Sequence, residues 1–156
     1  MHPHAELIES FYIAFQGRDG RAMAACYHPE VRFSDPVFTD LRGEQAGAMW
    51  TMLTERATDL EVSVRDIVAD DERGSAHWDA SYTFSATKRH VDNHIDASFR
   101  FRDGKIVEHR DVFDLWAWTR QALGVPGVLL GWSPMVQGKV RRTAAASLEA
   151  YMAKDR

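Results

Sequence analysis

The chain carries a single cysteine, Cys26, so no intrachain disulfide can form and a thiolate metal site lacks its companion ligands. Long apolar runs are also absent. The most apolar stretch, LGVPGVLLGW at 123–132, falls well short of the roughly 20 residues that span a bilayer. The opening MHPHAELIES has no apolar segment of signal-peptide type, so a cytoplasmic protein with no membrane partner is expected. Basic charge is not in excess, with 19 Lys and Arg against 23 Asp and Glu, and no basic cluster alternates with aromatics. Nucleic acid is therefore not an expected partner. The histidines show no HExxH spacing and no glycine loop resembles a phosphate cradle, so neither a metal nor a nucleotide cofactor is expected.

What the chain does have is a 45% apolar content interleaved with 27% charged residues, at a length that fits one domain over 1–156. Leu7, Ile8, Phe11, Tyr12 and Phe15 recur at helical spacing and Gly17 suits the stop. A short second helix is expected from Asp19 to near Pro29, which cannot continue it. Ala46, Met49, Trp50 and Leu53 mark a third helix. The period then becomes two. Leu60, Val62 and Val64 alternate with polar residues, as do Trp78, Ala80, Tyr82 and Phe84, and Ile95, Ala97, Phe99 and Phe101. Asp103-Gly104 reads as a hairpin turn into a strand from Lys105 to about Phe113. One-sided alternation of this kind predicts a curved antiparallel sheet whose apolar face the helices cover: an α+β, cone-shaped barrel. Residues 114–156 read as a helical tail, with Asp114 and Ser133-Pro134 as helix starts and Gly124 as a stop. Its many large apolar residues, Val128 to Leu130 and Trp132 among them, are expected to pack across the cavity mouth or at the subunit interface.

Asp35, in RFSDPVF, is the residue that asks for a chemical reason. A carboxylate among aromatics is costly unless paired, hydrogen-bonded or protonated. The plain explanation is that Asp-Pro initiates a turn and Asp35 bonds nearby backbone. The chemical one is that it lines a pocket. In the last strand His109, Asp111 and Phe113 share one face, and Ile106, Glu108, Arg110 and Val112 the other. The second set holds two charges and is the better solvent face, which turns His109 and Asp111 inward toward Asp35. Asn93 shares the parity of Ile95 and Ala97 and could add a polar group at the rim, whereas His94 belongs to the outer surface.

The stretches FYIAFQGRDGRAMAACYHPEVRFSDPVF and FRFRDGKIVEHRDVFDLW resemble the opening and the last hairpin of the nuclear transport factor 2-like superfamily, especially its SnoaL-like group. Ketosteroid isomerases, SnoaL-like polyketide cyclases, limonene-epoxide hydrolases and scytalone dehydratase belong to that superfamily. The resemblance implies that Asp35 matches the proton-shuttling aspartate of the isomerases. It places Phe11 and Ala97 where those enzymes carry oxyanion-hole donors, so steroid isomerisation is not expected. Asp111 is similar in placement to the acid/base aspartate of the cyclases, and His109 keeps a dehydratase-like elimination open. Arg110, by parity, does not sit between Asp35 and Asp111 as an epoxide-hydrolase relay would need.

The resulting expectation is a cofactor-independent catalyst of isomerisation, cyclisation or dehydration on an apolar carbonyl compound. Asp35, His109 and Asp111 would be its catalytic groups. Phe11, Tyr12, Trp50, Trp78, Tyr82, Asn93, Ala97, Phe99 and Phe113 would line the ligand, and the superfamily implies a homodimer. The alternative is a non-catalytic dimeric module that binds an apolar ligand or a partner protein.

Overall fold

Helix α1 (Pro3–Gln16) begins with a proline at its first turn, where no N–H is needed, and ends at Gly17. Its stripe of Ile8, Phe11, Tyr12 and Phe15 is buried. In α2 (Gly20–Ala25) the Asp19 carboxylate caps the start, accepting from the Ala22 N–H at 3.0 Å. This helix stops well before Pro29, because the chain is already a strand, β1 (Tyr27–Ser34). Pro29 sits between Tyr27 and Arg32, where the register of β1 against its neighbour shifts, so the missing N–H removes no bond from the paired part of the strand.

A computed structural model describes residues 1–154. After β1 come β2 (Leu41–Arg42), α3 (Glu44–Arg56), β3 (Glu61–Ala69), β4 (Arg73–Phe84), β5 (Arg89–Arg102), β6 (Lys105–Val112), α4 (Leu115–Leu123), α5 (Val125–Leu130) and α6 (Pro134–Lys154). The strands form one sheet in the order β2-β1-β6-β5-β4-β3. This is the α+β cone that the alternation predicts, antiparallel from β3 to β6, with the addition of β1 running parallel to β6. The outward face is polar as expected. His77 pairs with Asp96, His94 with Asp79 and His90 with Asp92 across or along the strands.

Register in the last hairpin decides which side chains enter the cone. Asp103 and Gly104 both have positive φ, 53° and 75°, as the tight turn requires. From that turn Arg102 faces Lys105 and Phe101 faces Ile106, but Arg100 then faces Glu108. Val107 is the extra residue of a bulge. Without it Glu108 and Arg110 would point into the core. With it Phe99 faces His109 and Ala97 faces Asp111.

The interior of the cone is packed with rings. Phe11, Phe15, Trp50, Trp78 and Phe33 meet edge to face at centroid distances of 5.0–6.2 Å. Burying each such side chain contributes on the order of 2 kcal/mol. Within this cluster the Tyr12 hydroxyl is the one fully buried side-chain polar atom, among the described residues, with no hydrogen-bond partner.

The tail lies across the wide end of the cone. In α4, capped by Asp114, Leu115, Trp118 and Ala122 pack with Val91 and reach the half-buried Val37, Tyr82, Phe84 and Phe113. Trp118 Nε1 donates to the Tyr82 hydroxyl at 2.8 Å. Helix α6 starts at Ser133-Pro134 as expected, inserts Leu148 into the main core, and its Tyr151 hydroxyl donates to Glu55. Val128, Leu129, Leu130 and Trp132, by contrast, are exposed on the single chain and do not pack across the cone. The reason is that α5 turns its glycine edge inward. A Cβ at Gly127 would lie 2.0 Å from the Thr119 carbonyl oxygen, so only glycine fits there and the bulky residues face out.

An unpartnered buried hydroxyl costs about 1–3 kcal/mol of desolvation. Tyr12→Phe is therefore expected to raise unfolding free energy by about 1 kcal/mol in a urea titration. A loss of similar size would show that the hydroxyl is bonded in solution.

Candidate functional site

Asp35 stands where β1 ends and the chain turns. Its Oδ1 accepts from the backbone N–H groups of Val37 at 2.7 Å and Phe38 at 2.6 Å, and its own N–H donates to the Phe38 carbonyl. The turn role anticipated for Asp-Pro is thus real. It is not the whole of the residue's situation. Burial pushes the carboxyl up to about 7, the negative charge of Asp111 adds to this, and the two backbone donors oppose it. From the other side Arg141 of α6 donates its Nε to the Pro36 carbonyl at 2.8 Å, fixing the turn to the tail.

Asp111 and His109 both point inward from β6, with residue exposures of 2% and 1%. Two N–H donors meet Asp111 Oδ1: His109 Nε2 at 2.8 Å and Trp78 Nε1 at 3.3 Å. His109 Nδ1 lies 2.8 Å from the Tyr27 hydroxyl, which also receives Trp50 Nε1 at 2.7 Å. An indole N–H can only donate, so the hydrogens along this chain have one fully satisfied arrangement. Trp50 donates to Tyr27, Tyr27 to His109 Nδ1, and His109 Nε2–H to Asp111. The ring is then the neutral Nε2–H tautomer. A second proton on Nδ1 would leave the Tyr27 hydrogen without an acceptor in a closed core. Because the chain ends on an indole, it holds Asp111 in place and has no route to pass a proton outward.

Asp35 and Asp111 line one cleft of about 360 Å³, together with Ser34, Pro36, Thr39, Glu108, Arg110 and Val112. His109 is not in its wall and reaches it only through Asp111. None of the nine residues expected to line a ligand lines this cleft either. Phe11, Tyr12, Trp50, Trp78, Ala97 and Phe99 are core, because their rings and methyl fill the cone. Tyr82 and Phe113 are under α4, and Asn93 is half-buried beside Ala80 in the β4–β5 ladder. Arg110 does reach the cleft despite its outward parity. It pairs with Ser34, the last residue of β1, and beyond that point no strand separates the two faces of β6.

Sequence reading missed Tyr27, which it left inside the second helix. The signal was present, since Tyr27, Val31 and Phe33 alternate at strand spacing and all three are buried. Removing the Tyr27 hydroxyl strands both Trp50 Nε1 and His109 Nδ1. Tyr27→Phe is therefore expected to destabilise the fold by about 2 kcal/mol or more by chemical denaturation. Unchanged stability would contradict the hydrogen arrangement given above.

Comparison with known proteins bears on the fold. No curated protein matches the sequence significantly. Among solved structures, TerC co-crystallised with polyporic acid superposes with a TM-score of 0.67 at 20% identity, covering 79% of this chain and 100% of TerC. A protein with a ketosteroid isomerase-like fold from Catenulispora acidiphila DSM 44928, in complex with trimethylamine, gives 0.68 at 14% identity over 83% of this chain and 98% of its own. An LEH-like epoxide hydrolase of M. tuberculosis gives 0.61 at 19% identity over 86% and 95%. At these identities the likeness shows the fold. The sequence itself matches the SnoaL-like domain over residues 8–109, and the chain belongs to that family.

Proposed function

We propose that this protein catalyses acid–base chemistry on a small carbonyl compound, with Asp35 removing a proton from the carbon next to the carbonyl. The observation that supports this reading most is a carboxyl raised to about 7 by burial, in a cleft it shares with a second carboxylate. A base poised near neutral pH is one that can both take and return a proton. Both backbone donors fall on Asp35 Oδ1, which leaves Oδ2 to meet the substrate. Asp35, protonated by this step, would return the same proton to the enolate at another carbon; the charge of Asp111 keeps Asp35 basic, and His109 is a positioning residue that fixes Asp111. The cleft walls are more polar than an apolar ligand needs, with Ser34, Thr39, Glu108 and Arg110 among them. A substrate with oxygen groups beyond the reacting carbonyl suits them.

A second reading has one specific observation behind it. Asp35, Arg110 and Asp111 line the same cleft, the side-chain set of an Asp–Arg–Asp relay, and one neighbour in fold is an LEH-like epoxide hydrolase. Arg110 makes no ion pair to either carboxylate among the described residues, which places this reading behind the first.

The test needs no knowledge of the final product. Cyclic ketones and 1,3-diketones are incubated in D2O and loss of the α-proton signals is followed by NMR. The wild type is expected to accelerate exchange, with a rate that rises with pH through a midpoint near 7. Asp35→Asn is expected to lower the rate by about 10²-fold or more. No acceleration, or an acceleration that Asp35→Asn leaves intact, would overturn the proposal. Conversion of terpenoid epoxides to diols, lost in Arg110→Ala, would favour the second reading.

The same group sets a pH dependence of stability. Its folded pKa is above the unfolded value of 3.8, so the stability it contributes is full below about pH 4 and is lost as pH rises through about 7. Asp35→Asn is expected to stabilise the protein at pH 8 by about 1 kcal/mol or more, and by much less at pH 5. Equal effects at both pH values would contradict the raised carboxyl.

A further inference from the structure

Six of the eleven large apolar residues exposed on the described surface fall between 125 and 135: Val125, Val128, Leu129, Leu130, Trp132 and Met135. Leu129, Trp132 and Met135 are 63%, 61% and 72% exposed. Single exposed apolar residues are ordinary, but a run of this kind on a corner between two helices needs a partner. Charge is segregated at the same place. From residue 115 to 148 there is no Asp or Glu, while Arg120, Lys139, Arg141 and Arg142 are present, and all but two of the chain's acidic residues lie before this stretch. Met135, Lys139 and Arg142 are exposed at i, i+4 and i+7 of α6, so Met135 and the basic stripe share one face of that helix, next to the exposed residues of α5 in the chain.

We infer that the α5–α6 corner docks on the surface of a bilayer containing anionic lipid, with Leu129, Trp132 and Met135 entering the headgroup boundary and Lys139 and Arg142 facing the lipid charge. Among the described residues no helix is long and apolar enough to cross a membrane, so the inferred engagement is at the surface. A second copy of the chain fits less well. Corner against corner, a two-fold contact brings stripes of one sign together. Elsewhere the exposed large apolar residues, Met1, Ile13, Val68, Val112 and Trp116, are scattered over separate elements and offer no matching patch. An anionic bilayer supplies the apolar layer and the opposite charge at once.

Vesicle flotation with the full chain tests this, using phosphatidylcholine vesicles with and without phosphatidylserine. The protein is expected to float with the phosphatidylserine vesicles and to remain below with phosphatidylcholine alone, and added salt should weaken the association. Each basic residue at an anionic surface is worth a factor of about five, so Lys139→Glu with Arg142→Glu should cut binding by about thirtyfold or more. Leu129→Ser with Trp132→Ser should abolish it. All four side chains are exposed, so unchanged thermal melting is expected and serves as the control for folding. Failure of the wild type to float would overturn the inference, as would equal flotation with both vesicle types. So would a dimer in sedimentation velocity that Leu129→Ser with Trp132→Ser dissolves, since the second copy would then own the patch.

Discussion

A carboxylate and an imidazole sit together in the dry centre of this fold, and the surrounding core is arranged to permit it. Asp111 and His109 replace lost water with each other, with Trp78 and with the Tyr27–Trp50 pair. Removing one member of such a set costs more than the set contributes as a whole, because the partner left behind is buried and unsatisfied. The aromatic residues of α1, α3, β1 and β4 therefore do two jobs. They supply apolar area, and through two indole N–H groups and one phenol they fix the direction of every hydrogen reaching Asp111. That rigidity holds Asp111 beside Asp35, where its charge adds to burial in raising the Asp35 carboxyl.

The site is consequently at the end of the cone's wall and not in its hollow. Rings fill the hollow, and the opening lies where β1 stops and β6 runs on past it. Helix α6 also reaches this place, through Arg141 and the Pro36 carbonyl. The tail thus closes the wide end with α4 and braces the Asp35 turn with α6, while its α5 corner faces outward.

Much of this was legible in the sequence. Period-two alternation gave β3 to β6 and their polar outer face, and helical spacing gave α1 and α3. The inward turn of His109 and Asp111 was readable only because Glu108 and Arg110 are poor core residues. Register counted from the Asp103-Gly104 turn alone would have reversed the answer, since nothing local marks Val107 as the bulge. β1 was obscured by Pro29, whose usual meaning as a stop fails where the ladder is already irregular. The exposed α5 corner could not be foreseen from composition, because burial there is set by the glycine edge that contacts Thr119. Nor could spacing tell a ring that lines a cavity from a ring that fills it.

The central claim is that Asp35 is a desolvated carboxyl raised further by the charge of Asp111 beside it. Titration of the aspartate side-chain ¹³C carboxyl resonances by NMR, with Asp35→Asn to assign the signal, measures this directly. The account requires a midpoint near 7 for Asp35, moving downward when Asp111 is replaced by Asn. A midpoint near the ordinary aspartate value of about 4, unmoved by Asp111→Asn, would contradict it.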